Sequence, residues 1–421
     1  MMYATRITAV GARLLGCGAV TSFDTSPTLT AWRALLAVAV VFVMLATTGW
    51  SAIRDHHPDG PRELALASWA RDRIAGRSLP DADAPAYRLA RFFATLTSGQ
   101  QTALAGKYPS VVGNLNGVPV TLRYHANRLA LRRAVAVEKV RAHDGRLSPD
   151  GRGEAKARLD RFRSMLAGKR QILAFDPSGK GRAAEVFGNL DRAARVSVVV
   201  PGVDTHLLTL ERGKRQYAAP VGMAKSLYGA ERSASPGTRT AVIAWADYTA
   251  PAGLGVDAAL GGLAADGAFR LNAMVGALPG ASKVSLFCHS YGSVVCGVAA
   301  HRAPGRVADI AVAGSPGMRA ASAGQLGTGA RIWATRDGDD WIGDVPHLEF
   351  GGIGHGADPV DPAFGARIVS SAGAAGHSGY FEPGTKSLDN FAAIGVGAYG
   401  SVSCATADSA CHSGISGERD G

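Results

Sequence analysis

Five consecutive residues, Cys288-His289-Ser290-Tyr291-Gly292, hold the clearest chemical pattern in this chain. Residues 283–287 before them read as a short buried strand, and the small apolar residues 293–300 after them as the start of a helix. A strand that turns sharply into a helix holds the turn residue in a strained backbone conformation and exposes its hydroxyl. Gly292 leaves room where strand and helix crowd together. The usual form of such a turn is Gly-x-Ser-x-Gly, and here Cys288 stands at the first glycine. Cysteine is small, so the turn remains feasible. Without a base and an acid within reach, Ser290 would be a serine in an ordinary strand-to-helix turn.

The segments downstream of the serine supply both. Residues 308–314 read as the next strand, ending at Ser315-Pro316-Gly317. Residues 330–335 read as another, followed by Asp337, Asp339, Asp340 and Asp344. A last strand over 366–370 precedes Gly376-His377-Ser378-Gly379-Tyr380-Phe381. Serine, acid and histidine then each follow a strand, in the order of a nucleophile, an orienting carboxylate and a general base.

These segments resemble a known family. His289-Ser290-Tyr291-Gly292-Ser293, Gly314-Ser315-Pro316-Gly317, Gly354-His355-Gly356-Ala357-Asp358-Pro359 and Gly376-His377-Ser378-Gly379-Tyr380 together look like an actinobacterial α/β-hydrolase family of unknown function. Val112-Gly113-Asn114-Leu115-Asn116-Gly117-Val118-Pro119, with Ala126-Asn127-Arg128, resembles its upstream segment. The resemblance runs from about residue 90 to 398, and Cys288 departs from the family's usual glycine. It implies a serine-hydrolase fold and no particular substrate.

Within such a site the residues divide by role. Val196, Val198, Val199 and Val200, with Ser197, form a central-strand run ending in Pro201-Gly202-Val203-Asp204-Thr205. The expected oxyanion donors are the backbone N–H groups of Tyr291 and Val203, although 201–205 also reads as a plain Pro-Gly turn. For the acid, Asp340 sits where the family places one and Asp337 is the rival; Asp339 and Asp344 read as solvated loop charges. His377 is the expected base and His355 its rival, the latter also readable as a loop histidine capping a glycine-rich turn. His289 reads as buried and hydrogen-bonded, pointing away from the serine. A metal reading of His355, Asp358 and His377 lacks tight ligand spacing, so no metal or organic cofactor is called for.

Composition agrees with a mixed α/β enzyme. The chain has 421 residues, 54 glycines and only 19% charged residues, which excludes a disordered or fibrous chain. The net charge of +11 is uneven: residues 123–170 hold fourteen Lys/Arg against five Asp/Glu. That excess could attract anionic lipid or nucleic acid. It reads instead as the solvated face of long helices, with Arg152, Lys156, Arg158, Arg161 and Arg163 spaced along one of them. Only Tyr124 and Phe162 there offer rings for base stacking, so no nucleic acid is expected.

Near the N-terminus, residues 34–46 are thirteen consecutive apolar residues, and no charge occurs from 34 to 53. Twenty uncharged residues suffice to cross a bilayer. The same run would serve as a signal-peptide core. No clear Ala-x-Ala site lies beyond it, so an uncleaved anchor with an extracytoplasmic enzyme is the reading, with secretion as the alternative. Cys404 and Cys411 could close a small loop in an exported protein, whereas Cys288 and Cys296 read as small buried residues.

The expected organisation is a leader over 1–29, an anchor or signal over 30–53, a helical region over 55–165, an α/β-hydrolase domain over 166–400 and a flexible tail over 401–421. Strands near 171–175, 183–187, 196–200 and 240–245 precede the serine strand, and alternation with helices implies a mostly parallel sheet. Residues 387–396 would be the closing helix, and the Gly/Ala-rich 250–263 a pocket wall or lid whose apolar character suits an acyl chain. The expected activity is hydrolysis of an ester or related acyl bond through Ser290, His377 and Asp340. A catalytically inactive binding scaffold and a membrane-surface module built on 123–170 are the competing readings.

Overall fold

The computed structural model describes residues 61–406 and 409–415. The apolar run at 34–46 lies outside the described residues. Among the described residues no helix is long and apolar enough to cross a membrane.

The core is one eight-stranded sheet: β1 (Gln171–Asp176), β2 (Arg182–Gly188), β3 (Arg195–Val200), β4 (Thr240–Ala246), β5 (Lys283–His289), β6 (Val307–Ala313), β7 (Arg331–Thr335) and β8 (Arg367–Ile368). Its spatial order is β8-β7-β6-β5-β3-β4-β2-β1. The six strands from β3 onward run parallel, while β2 lies antiparallel between β4 and β1. Every strand expected from the sequence is present, although the last is only Arg367–Ile368.

Both faces of the sheet are covered, so its central strands read as unbroken apolar runs rather than alternating ones. β4 is buried throughout. The alternation reappears in what its residues touch. Ala241, Ile243 and Trp245 join the cluster that contains α7 (Gly262–Gly276) and α8 (Gly292–Ala300). Val242, Ala244 and Ala246 join the one that contains α6 (Pro220–Ala234) and the closing α9 (Lys386–Val396).

Upstream, α1 (Pro61–Arg71), α2 (Ala86–Ala94), α3 (Ser98–Lys107), α4 (Val120–Arg141) and α5 (Pro149–Leu166) form the helical region. Trp69, Phe93, Tyr108 and Val112 centre a separate small core. Two asparagines tie this region to the sheet. The Asn114 amide donates to the Phe175 carbonyl and accepts from its N–H, and the Asn127 amide donates to the carbonyls of Gly113 and Ile172. The long helices α4 and α5 do not present their basic residues uniformly to water. Arg158 is buried against Glu138 at 2.7 Å, Arg161 pairs with Glu211, and Arg123 donates to the Gly113 carbonyl. Part of the positive charge in 123–170 therefore braces the fold.

Within the tail expected to be flexible over 401–421, the described residues 401–406 and 409–415 are held by the fold. Cys404 and Cys411 are disulfide-bonded, and Cys404 bridges Val369 beside β8. Cys411 is buried and its carbonyl accepts from Arg367. With no tertiary contact visible in a Ser/Gly/Ala-rich stretch, composition alone reads it as loose.

Candidate active site

Parallel strands deliver their C-terminal ends to one edge of a sheet, and the candidate residues gather there. Ser290 follows β5 directly. Its φ is +56°, an unusual conformation for a side-chain-bearing residue, costing roughly 1–2 kcal/mol. Several contacts impose it. The Ser290 N–H donates to the Ala313 carbonyl at the end of β6. Gly292 lets the turn close on β3, since a Cβ there would sit 2.2 Å from the Val200 carbonyl oxygen.

Cys288 is more than a small residue in place of glycine. It is disulfide-bonded to Cys296, one turn into α8, so the bond spans the serine from strand to helix. Reading the two cysteines only as small buried residues missed this, because a spacing of eight does not say that strand and helix fold back together.

His377 completes the cluster. Its Nε2 lies 2.9 Å from Ser290 Oγ and its Nδ1 2.8 Å from Asp340 Oδ1. Burial pushes the Asp340 carboxyl up, but hydrogen bonds from His377, Tyr380 and the Ile342 N–H outweigh it and hold the group below its ordinary value. A carboxylate that stays ionised fixes the imidazole tautomer with its proton on Nδ1, leaving Nε2 free to accept the serine proton. Asp337, the rival acid, instead accepts from the Gly376 N–H at 2.9 Å and so holds the loop that carries His377.

The rival base sits elsewhere. The His355 ring packs edge-on against Tyr291, with centroids 5.8 Å apart, and its backbone bonds Leu348 and Arg319. Asp358, the carboxylate beside it in sequence, forms an ion pair with Arg336. His289 is buried and its Nε2 donates to the His377 carbonyl at 2.6 Å. Burial, with the nearby His377, pulls its pKa down to about 4, so it stays a neutral brace.

The expected oxyanion donors lie beside the serine turn. Tyr291 caps the N-terminus of α8, where a helix leaves N–H groups unpaired, and the loop after β3 runs against it. A Cβ on Gly202 would lie 2.6 Å from Ser290 Cβ and 3.2 Å from the Tyr291 nitrogen. Val203 is the next residue of that loop, half-buried against the core.

Three contributors escaped the sequence reading. Tyr380 donates its hydroxyl to Asp340 Oδ2 and accepts from the Asp337 N–H at 3.0 Å, linking both aspartates. Trp341 covers His377 with ring centroids 4.7 Å apart. Gly314, at φ +53°, leaves space for the pair: a Cβ there would be 2.7 Å from Asp340 Oδ2 and 3.1 Å from His377 Nδ1. Tyr380 lies three residues from His377, a weak signal in hindsight; the Gly314 contact has none.

A buried serine on a strained strand-to-helix turn, facing a histidine–carboxylate pair at the C-terminal edge of a mostly parallel sheet, defines a class, and comparison supports it. Residues 176–350 match a family model described as alpha/beta hydrolase. The sheet and its flanking helices have the α/β-hydrolase fold. The chain is 28% identical to uncharacterized proteins of two Mycobacterium tuberculosis strains, over 73% of this chain and 55% of theirs. The chain thus spans about half the length of the curated relatives it matches. Among solved structures it is similar to a Porphyromonas gingivalis dipeptidyl peptidase 4, with 12% identity, TM-score 0.26 and coverage of 41% of this chain and 27% of that one. A 2,6-dihydroxy-pseudo-oxynicotine hydrolase matches with 12% identity, TM-score 0.27 and coverage of 68% and 85%.

Proposed function

We propose that the protein is a serine hydrolase that cleaves an ester or related acyl bond through a covalent acyl-enzyme. Ser290 Oγ attacks the carbonyl carbon while His377 Nε2 takes its proton. The charge that forms on the imidazole is stabilised by Asp340, itself held by Tyr380. The backbone N–H groups of Tyr291 and Val203 receive the developing oxyanion. His377 then returns the proton to the leaving group, and water, activated by the same nitrogen, releases the acid.

The observation that carries this reading is the continuous relay Ser290 Oγ–His377–Asp340, with a hydrogen-bonding distance of 2.9 Å on one side of the imidazole and 2.8 Å on the other. A serine in an ordinary turn needs neither. The test is labelling by a fluorophosphonate, which requires only an activated serine: the parent should label and Ser290→Ala should not. Equal labelling of both would leave the relay without a catalytic role.

A further inference from the structure

The rim of the candidate site is unusually apolar. Eleven large hydrophobic residues are exposed among the described residues, and six of them fall in two stretches: Leu254, Val256 and Leu260 in one, Trp341, Leu348 and Ile353 in the other. Both stretches border Ser290. Leu260 forms an isolated bridge with Ile353, and its carbonyl accepts from the Tyr291 hydroxyl at 3.3 Å. Trp341 lies over His377, and the Leu348 carbonyl accepts from the His355 N–H, whose ring meets Tyr291. On the other side, Gly253 is tied to Asp204 in the loop after β3. The two stretches are therefore neighbours across the mouth of the site rather than scattered surface residues, and contiguous exposed apolar patches mark interaction surfaces.

Charge narrows the partner. The exposed charged residues of these stretches and their flanks are Asp257, Asp339, Asp344 and Glu349; no exposed Lys or Arg accompanies them. Arg319, on the inner side, is already engaged by Glu349 and by the carbonyl of Gly354. An apolar rim edged with carboxylates repels an anionic membrane surface and tolerates an uncharged one.

We infer that the 254–260 and 341–353 rim docks onto the surface of an uncharged acyl-lipid aggregate and delivers its acyl carbonyls to Ser290. The inference rests on the serine-hydrolase reading for its chemistry and on the rim for its substrate class. An acyl ester held in a droplet reaches Ser290 without leaving the apolar phase, because the rim displaces interfacial water around the mouth.

The test compares the full chain with Leu254→Ser/Leu348→Ser, two side chains that are 68% and 72% exposed and whose loss removes no core packing. Turnover is measured on a soluble short-chain p-nitrophenyl ester and on emulsified trioctanoin droplets coated with phosphatidylcholine or with phosphatidylglycerol. Expected is parent turnover favouring phosphatidylcholine-coated droplets, and a fall of about tenfold or more on them in the double variant, as loss of two partly buried leucines implies. Soluble-ester turnover should stay within about twofold, since neither side chain contacts the relay. Equal loss on both substrates, no loss on droplets, or preference for phosphatidylglycerol would overturn the inference. A reading independent of turnover is the emission of Trp341, taken as the difference between the parent and Trp341→Phe. A blue shift on adding phosphatidylcholine droplets, without turnover of any ester, would keep the docking surface and reject the hydrolase chemistry. Turnover without the shift would do the reverse.

Discussion

Gly314→Ala puts the packing of the relay to a direct test. The backbone at this position has φ +53°, so any side chain incurs left-handed strain of roughly 1–2 kcal/mol. The added methyl would also lie 2.7 Å from Asp340 Oδ2 and 3.1 Å from both His377 Nδ1 and Tyr380 Cε2. To restore ordinary contact the carboxylate must move by about 0.7 Å, yet it is held by His377, Tyr380 and the Ile342 N–H. Since a misplacement of about 1 Å can cost a hundredfold, kcat should fall roughly 10- to 100-fold, with KM little changed. Gly327→Ala supplies the control. Its φ is +60° but the nearest atom to a new Cβ is 3.6 Å away, on His301, so it carries the strain without the clash. The assay pairs ester kinetics with urea denaturation of both variants. If Gly314→Ala loses stability to the same extent as Gly327→Ala while its kcat stays within about twofold of the parent, the claim that this glycine makes room for Asp340 and His377 is refuted.

Ser290→Ala should reduce ester turnover by about a million-fold, and Asp340→Asn by about ten-thousandfold, because a mis-oriented histidine keeps some base strength while a missing nucleophile keeps none; an equal loss in both would argue against that division of roles. Cys288→Gly, which restores the usual glycine of the turn, should nevertheless destabilise the protein by about 2–3 kcal/mol, since it opens the short disulfide loop to Cys296 and leaves a buried thiol; urea denaturation with and without reductant reads this, and the parent should lose most of the difference when reduced. Glu231, buried beside Ser197, has its pKa raised to about 8 by burial. A carboxyl raised in the folded state binds more protons there than when unfolded. Stability should therefore fall as pH rises from about 5 to about 8, by at most about 1.4 kcal/mol per unit, and Glu231→Gln should flatten that slope. Unfolding curves at pH 6 and 8 with unchanged slope in Glu231→Gln would assign the dependence to other groups.

Sequence alone determined the order of the elements and the residues at strand ends. β-branched runs such as 196–200, bounded by turn residues, read as strands covered on both faces, and Ser290, Asp340 and His377 each follow an expected strand. Their convergence was legible for that reason: in a parallel sheet, strand ends meet at one edge whatever the intervening loops do. Where several candidates crowded one loop, local spacing could not choose. Asp337 and Asp340 are three residues apart, and only the tertiary structure turns one toward the imidazole and the other onto the Gly376 N–H. The same limit hid the Cys288–Cys296 bond, the space at Gly314 and the Tyr380 hydroxyl on Asp340, all contacts between segments whose approach is fixed by packing rather than by composition. It also hid the inward turn of Arg158 and the pinning of residues 401–406 and 409–415, where burial against distant residues overrides what a polar or glycine-rich sequence suggests. Long-range side-chain contacts depend on three-dimensional closure, which no local pattern encodes.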